Sequence, residues 1–313
     1  MKNVIILHNP VDDSSKEDEI DVLEQAVLIE NALSELGFGS HRASFGLSSE
    51  IILDMAHYQP DTIVFNLVET VNGSGKYSYM APSILELFGI PFTGSSASAI
   101  FTTTDKVICK TLLLFHQIAT PVWANKLSEL VPEKYYIVKP VAEDGSVGIE
   151  DDMITQGNQI IEIPNGFFAE EYIHGREFNI SIIGGKAKYE VLPPAEMCFS
   201  NDYYENKPRI LGYKAKWDES SPEYQNTTRN FKFEDRDNAL LESLKEVAGK
   251  CWEIFGLNGY ARVDIRVDNE NVPQVIEINA NPCISPTSGF VAACEVAGMN
   301  RTEIINRIIK EAK

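Results

Sequence analysis

Long apolar runs are missing from this sequence: the first stretch, Val4-Ile-Ile-Leu7, spans four residues before polar residues interrupt it. That is too short for a signal peptide or a membrane span and reads as a buried first strand. Basic charge is scarce as well. Against 46 aspartates and glutamates stand 27 lysines and arginines, a formal net charge of −19, which argues against general affinity for nucleic acid or an anionic membrane. An anionic ligand would have to be gripped by a few placed cations. The five cysteines (Cys109, Cys198, Cys251, Cys283, Cys294) include no Cys-x-x-Cys pair, which fits a reducing cytoplasm and argues against a disulfide framework or a zinc site. Most are expected to be buried small apolar side chains. Neither a Walker A loop nor Gly-x-Gly-x-x-Gly occurs, and Gly73-Ser-Gly75 reads as a flexible loop. The histidines are isolated, and His174 reads as a turn residue with no catalytic role.

What is present is an ordinary globular composition, 44% hydrophobic and 23% charged over 313 residues, long enough for two or three sub-domains. Ile20, Leu23, Val27, Leu28 and Leu36 have helical spacing and Gly37 stops the helix. Asp61–Asn66 is a second short strand and Ser78–Phe88 a second helix, so strand and helix alternate as in a parallel α/β domain ending near residue 98.

The stretch with most chemistry is Gly259–Asp268 followed by Val275–Pro282. Each half alternates apolar and polar residues, and Asp268-Asn-Glu-Asn between them is turn chemistry, so the spacing predicts a β-hairpin-like pair. Period two puts Arg262 and Asp264 on one face and Glu277 and Asn279 on one face of the partner, over a floor of Val263, Ile265, Ile276 and Ile278. Hard oxygen ligands without His or Cys suit Mg²⁺, which completes its shell with phosphates, and Arg262 beside them would face developing negative charge. The same alternation is what any half-buried strand with a solvated face shows.

Upstream, Asp105 is a plausible N-cap with Lys106 in the first helical turn, where a lone lysine is more commonly a surface residue. Tyr135–Pro140 is a strand ending in Lys139, with the small-residue flap Val141–Gly148 behind it, an arrangement that can hold and cover phosphates. Glu170 and Glu171 end the strand Phe167–Ile173, as a solvated edge or as the adenine hinge of a nucleotide pocket. Residues 196–231 lack periodicity and read as a lid or binding loop, in which Lys214 or Lys216 would reach inward. The helix from Asp235 to Phe255 has one apolar face, with Trp252 in the core.

Taken in order, Thr104-Asp-Lys106, Val138-Lys-Pro140, Glu143-Asp-Gly-Ser-Val-Gly148, Glu170-Glu-Tyr-Ile-His-Gly-Arg-Glu177, Tyr213-Lys-Ala-Lys-Trp217, Ala261-Arg-Val-Asp264 and Glu277-Ile-Asn-Ala-Asn-Pro282 resemble the D-alanine:D-alanine ligases of the ATP-grasp superfamily. The resemblance runs from about residue 60 to the C-terminus. It implies an ATP-grasp fold: an N-terminal parallel α/β domain over residues 1–98, a central α+β lobe with the flap over 99–175, and a C-terminal lobe with metal site and lid over 176–313. It implies a cytoplasmic, ATP-dependent carboxylate–amine ligase acting on small amino-acid-like substrates through an acyl phosphate, with Mg²⁺ (or Mn²⁺) as the metal, a place in cell-wall synthesis, and a homodimer as the assembly. By matching positions, Lys106, Lys139 and Ser146 of the flap would hold phosphates, Lys216 the γ phosphate, Glu170 with the backbone of Glu171 and Ile173 the adenine, and Glu177 the ribose. Asp264, Glu277 and Asn279 would bind the metal, Arg262 and the backbone N–H of Cys283 would form the oxyanion hole, and Ser288 would hold the second substrate's carboxylate.

The chain departs from the family pattern at the amino-acid end. Asp144-Gly145 replaces the flap's first Gly-Ser, Trp217 the tyrosine after the lid lysine, and Cys283 a glycine. The N-terminal signature is absent, leaving Asp18 or Glu19 as the candidate ammonium anchor. Three alternatives to the D-alanine ligase are therefore kept: a ligase of another carboxylate and amine, a nucleotide-binding module that makes no bond, and a phosphotransferase that stops at the phosphorylated substrate.

Overall fold

A computed structural model of the chain describes residues 3–11, 15, 17–47, 62–143, 153–205 and 207–312, with the side chains of 17–19 outside the description. Ser146 and the Asp144-Gly145 pair of the flap, and the side chains of Asp18 and Glu19, lie outside the described residues.

The apolar run at the N-terminus forms the central strand of a three-stranded parallel sheet, Asn3–His8, flanked by Gly39–Ser44 and Thr62–Leu67. Being central, it is covered on both faces, which is why its residues do not alternate. The Gly39–Ser44 strand was not anticipated: it is a mostly exposed edge with no apolar alternation, held by backbone pairing and by the two-pronged bond of Arg42 to Glu30 (2.6 and 2.7 Å). The helix Glu17–Glu35 ends as expected, with Gly37 at φ +78° and the N–H groups of Gly37 and Phe38 closing on Ser34 and Leu33. A further helix, Ala97–Thr104, is rich in threonine and also went unanticipated. It starts at Ser96, whose side chain accepts from the Ala99 N–H, and Thr102 and Thr103 return their hydroxyls to the preceding turn. Asp105 then ends this helix and caps the next, Lys106–Phe115, accepting from the N–H groups of Val107 (3.1 Å) and Ile108 (2.9 Å).

A four-stranded antiparallel sheet follows, in the order Trp123–Ala124, Phe167–Glu171, Tyr135–Pro140, Ile154–Gln156. The largest sheet orders Thr227–Asn230, Ala195–Phe199, Gly175–Gly184, Gly259–Asp268 and Pro273–Asn279, with Tyr189–Val191 also paired to Gly175–Gly184. The expected structureless stretch 196–231 is thus shorter than the sequence suggested. Its two ends pair with each other, Thr227–Asn230 forming the edge of the sheet, and the excursion between them carries the short helix Tyr213–Trp217. The helix Asn238–Phe255 stops at Gly256 (φ +61°) and buries Trp252 completely.

The ends of the chain share one core. Val4, Ile6 and Ile29 pack in the same cluster as Tyr260, Phe290 and Ile305, the last two from the helices Gly289–Val296 and Arg301–Lys310. Asn258 ties the junction by donating to the carbonyls of Gly94 (3.1 Å) and Glu311 (3.0 Å). This packing fixes the first sheet against the strand that bears Arg262 and Asp264.

Candidate active site

The pair Gly259–Asp268 and Pro273–Asn279 is antiparallel, with Arg262 opposite Asn279 and Asp264 opposite Glu277. A bulge after Asp264 makes Ile265 face Val275, so Ile276 is the extra residue. On its other edge the first strand meets Gly175–Gly184, which places Arg266, Asp264 and Arg262 opposite Glu177, Asn179 and Ser181. Period two on three neighbouring strands therefore builds one polar ladder over an apolar floor of Val263, Ile265 and Ile278, all buried.

Within the ladder every acid is satisfied by a neighbour. Asp264 accepts a two-pronged bond from Arg262 (2.7 and 2.8 Å) and another from the Asn179 amide (2.9 Å), with Asn279 at 3.3 Å. Glu277 is paired with Lys106 at 2.8 Å. Lys106 is not the surface residue its helical position suggested: it is buried and also donates to the Glu143 carbonyl (2.7 Å) at the base of the flap. Glu143 in turn accepts from Ser74 (3.0 Å) and the Gly75 N–H (3.1 Å), so the Gly73-Ser-Gly75 segment is tied to the flap's base.

A second charge cluster lies on the four-stranded sheet. The Glu170 carboxylate sits between the ammonium groups of Lys139 and Lys110. Burial works to raise the Glu170 carboxyl, but the two lysines overcome it and hold it below the ordinary carboxylate range. Lys110, buried beside Lys139, is itself pushed down by loss of water despite its contact with Glu170. Neighbouring Glu171 pairs with Lys134 (2.7 Å) while its N–H reaches the Val122 carbonyl (2.8 Å). Lys110 escaped sequence reasoning, although it lies four residues from Lys106 on one helix face.

Arg266 escaped it too. The guanidinium joins Glu177 (2.9 and 3.2 Å) to the carbonyls of Ile173 (2.7 Å) and Arg209, and lies 4.9 Å from the centre of the Tyr172 ring. It therefore engages two groups, Glu177 and the Ile173 backbone, that the sequence assigned to a nucleoside. One further step of the alternation that exposed Arg262 and Asp264 would have found it. His174, the expected turn residue, stacks edge-on against Tyr172.

Beside the ladder opens a chamber of about 870 Å³ that takes in Arg262, Lys216, Asn279, Cys283 and Ser288 of the anticipated residues. Of the two lysines on the Tyr213–Trp217 helix, Lys214 is exposed and Lys216 reaches inward. Burial and the nearby Arg262 push the Lys216 ammonium below its usual value, while Glu277 and Asp264 resist. Ser288 caps the helix Gly289–Val296, accepting from the Val291 N–H at 3.3 Å. The chamber's lining also carries Asp21, Glu24 and Glu69. There the Cys283 thiol donates to Asp21 at 2.9 Å, and burial with the Asp21 and Glu69 carboxylates raises it well above the usual thiol range. Cys109, Cys251 and Cys294 are buried as expected, whereas Cys198 and Cys283 are half-buried. Asp264, Glu277, Lys106, Lys139, Glu170 and Glu177 do not line the chamber.

Residues 124–310 match the family model described as "D-ala D-ala ligase C-terminus". An uncharacterised protein of Sinorhizobium fredii is 31% identical over 260 residues, covering 80% of this chain and 74% of that one. A D-alanine–D-alanine ligase of Moorella thermoacetica is 26% identical over 99% of this chain and 98% of its own. Among solved structures, that of a D-alanine–D-alanine ligase from Bacillus anthracis complexed with ATP superimposes with a TM-score of 0.73 at 19% identity, over 99% of this chain and 97% of that chain. The fold is therefore the ATP-grasp fold anticipated from the motifs, and the chain belongs to the D-alanine–D-alanine ligase family of ATP-dependent C–N ligases.

Proposed function

We propose that this protein uses ATP to phosphorylate the carboxylate of one amino-acid-like substrate and then joins it to the amine of a second. The observation that carries this reading is the ladder itself: Arg262, Asp264, Glu277 and Asn279 meet across one strand pair, with Lys106 bonded to Glu277 and Lys216 facing the same groups. An acyl phosphate converts a poor leaving group into a good one before the amide forms, and needs no covalent nucleophile on the protein. What it needs is positioning and charge neutralisation. Lys106, Lys139 and Lys216 would receive the phosphates, Arg262 with the Cys283 N–H would steady the oxyanion, and Ser288 would orient the second substrate. Glu170, Glu171, Ile173 and Glu177 would meet the nucleoside, with Arg266 moving aside or sharing them. Asp21 and Glu69 line the chamber and join Asp18 and Glu19 as candidates for the ammonium anchor.

The oxygen set fits Mg²⁺. Among the described residues no three His, Cys, Asp or Glu side chains are grouped to share a metal ion, so an ion would take Asp264, Glu277 and Asn279 and leave most of its shell to phosphate and water oxygens. Such an ion supplies neutralisation of phosphate charge. Arg262 and Lys106 are paired with the same two acids.

A second reading concerns the substrate pair. Trp217 lines the chamber, and the Cys283 thiol occupies Asp21 of the same lining, so the amino-acid end differs chemically from the family pattern and favours a pair other than two D-alanines. ATP cleavage with Mg²⁺ against a panel of D- and L-amino acids, with products weighed by mass spectrometry, tests both. ADP and phosphate released together with a dipeptide is expected. ADP release without any condensed product would overturn the ligase reading, and a product other than D-alanyl-D-alanine would select the second pair.

A further inference from the structure

The chamber is lined by three cations, and they are not equivalent. Arg262 is taken by Asp264, and Lys216 faces the metal-site acids. Arg229, on the edge strand Thr227–Asn230, has no ion pair among the described residues, and its Nε is buried without a hydrogen-bond partner. Every other arginine or lysine of the polar ladder and the second charge cluster is matched to an acid: Lys106 to Glu277, Lys110 and Lys139 to Glu170, Arg266 to Glu177. A guanidinium left partly desolvated beside another cation is costly unless something anionic joins it. Burial and the nearness of Arg262 push the Arg229 guanidinium below its ordinary value, the direction an incoming anion would reverse.

Its position says which anion. The guanidinium lies flat against Gly289, the first residue of the helix capped by Ser288: a Cβ there would stand 3.3 Å from Nη2 and 3.6 Å from Cζ. The Ser288 oxygen already accepts from Val291 N–H, which leaves its proton free to donate into the chamber. A planar, two-oxygen anion matches a guanidinium fork, and a hydroxyl donor beside it completes the set. Of the lysines assigned to phosphate, Lys106 and Lys139 lie outside the chamber and only Lys216 lines it, and the carboxylates Asp21, Glu24 and Glu69 belong to the same lining.

Resting on the ligase reading, we propose that Arg229 is a specificity residue that grips the carboxylate of the amine-bearing substrate, so that the acceptor is an amino acid and not a simple amine. The test measures ADP release by the full-length protein with saturating donor and MgATP, using the acceptor both as free amino acid and as its primary carboxamide. Arg229→Gln should raise the acceptor KM at least tenfold for the free acid, with the change carried by KM rather than kcat and the ATP KM unmoved. The carboxamide should be poor with the unaltered protein and no poorer with R229Q, and R229K, which keeps the charge without the fork, should fall between. A free-acid KM within twofold of the unaltered protein's, or equal losses for acid and carboxamide, would overturn the proposal. A complete lack of amino-acid-dependent ADP release by the unaltered protein would instead overturn the ligase reading, and this inference with it.

Discussion

Replacing Glu170 by Gln probes the buried charge cluster directly. Glu170 is 3% exposed, Lys110 1% and Lys139 8%, so neither ammonium beside it readily recovers water when the carboxylate goes. Removing one partner of a buried pair costs about 3–5 kcal/mol. Here one removal strands two lysines, but the glutamine carbonyl still accepts one hydrogen bond, so the low end, about 3 kcal/mol, is the expected loss. At about 2–3 °C per kcal/mol for a chain of this size, the apparent Tm should fall by roughly 6–9 °C. Adding Lys110→Met removes one of the stranded charges and should restore part of that loss, which additive damage would not do. The pH dependence has a fixed sign. The folded Glu170 carboxyl lies below its usual 4.5, so its contribution is complete above that value and lost as pH falls through the folded one. Acid unfolding of the unaltered protein should therefore be steeper below pH 4.5 than that of E170Q. A loss under 1 kcal/mol in urea or thermal unfolding, or a double variant that loses the sum of the two single changes, would refute the reasoning.

Asp264→Asn and Glu277→Gln each remove one negative charge from the proposed metal site at nearly constant volume; turnover should fall by at least about 10²-fold while circular dichroism is unchanged, and retained Mg²⁺-dependent activity would count against the site. Arg266→Lys keeps the charge but cannot bridge Glu177 and the carbonyls of Ile173 and Arg209 with one planar group; we expect lower thermal stability and an altered ATP KM, read by unfolding and steady-state kinetics. Cys283 should alkylate slowly at neutral pH, because burial and two carboxylates keep its thiol protonated well above the usual range; rapid labelling by iodoacetamide at pH 7.5, mapped by mass spectrometry, would contradict that.

What the sequence made legible follows from where the physics is local. Alternation along a strand fixes which side chains share a face, so the sequence alone groups Arg262, Asp264, Glu277 and Asn279, and the pairing of Asp264 with Glu277 follows that logic. Caps are local as well, and Asp105 and Gly37 terminate helices where the residues said they would. Lys110 and Arg266 belong to a different class. Their partners, Glu170 and Glu177, come from distant strands, and only the packing of helix on sheet and the register of neighbouring strands brings them together. Gly39–Ser44 was illegible for the complementary reason: an exposed edge strand pairs through backbone groups that every residue carries.

The same distinction explains how a protein of net charge −19 could present the proposed anion site. Its cations are not free in bulk; they are held against specific acids in the interior, Lys106 against Glu277, Lys139 and Lys110 against Glu170, Arg262 against Asp264. On the proposed function, a nucleotide polyphosphate arriving with divalent metal would exchange both halves of these pairs at once, phosphate for carboxylate on the cations and metal for cation on Asp264 and Glu277. Either ligand alone leaves one half of each metal-site pair unmatched in a partly buried setting, which is unfavourable. Nucleotide and metal should therefore bind with positive coupling, each tightening the other by the same factor. Titrating ATP calorimetrically with and without Mg²⁺ measures it: a stronger apparent affinity with metal is expected for the unaltered protein and a much smaller gain for Glu277→Gln, and equal gains in the two would show that the metal acts on ATP in solution and not through this pair.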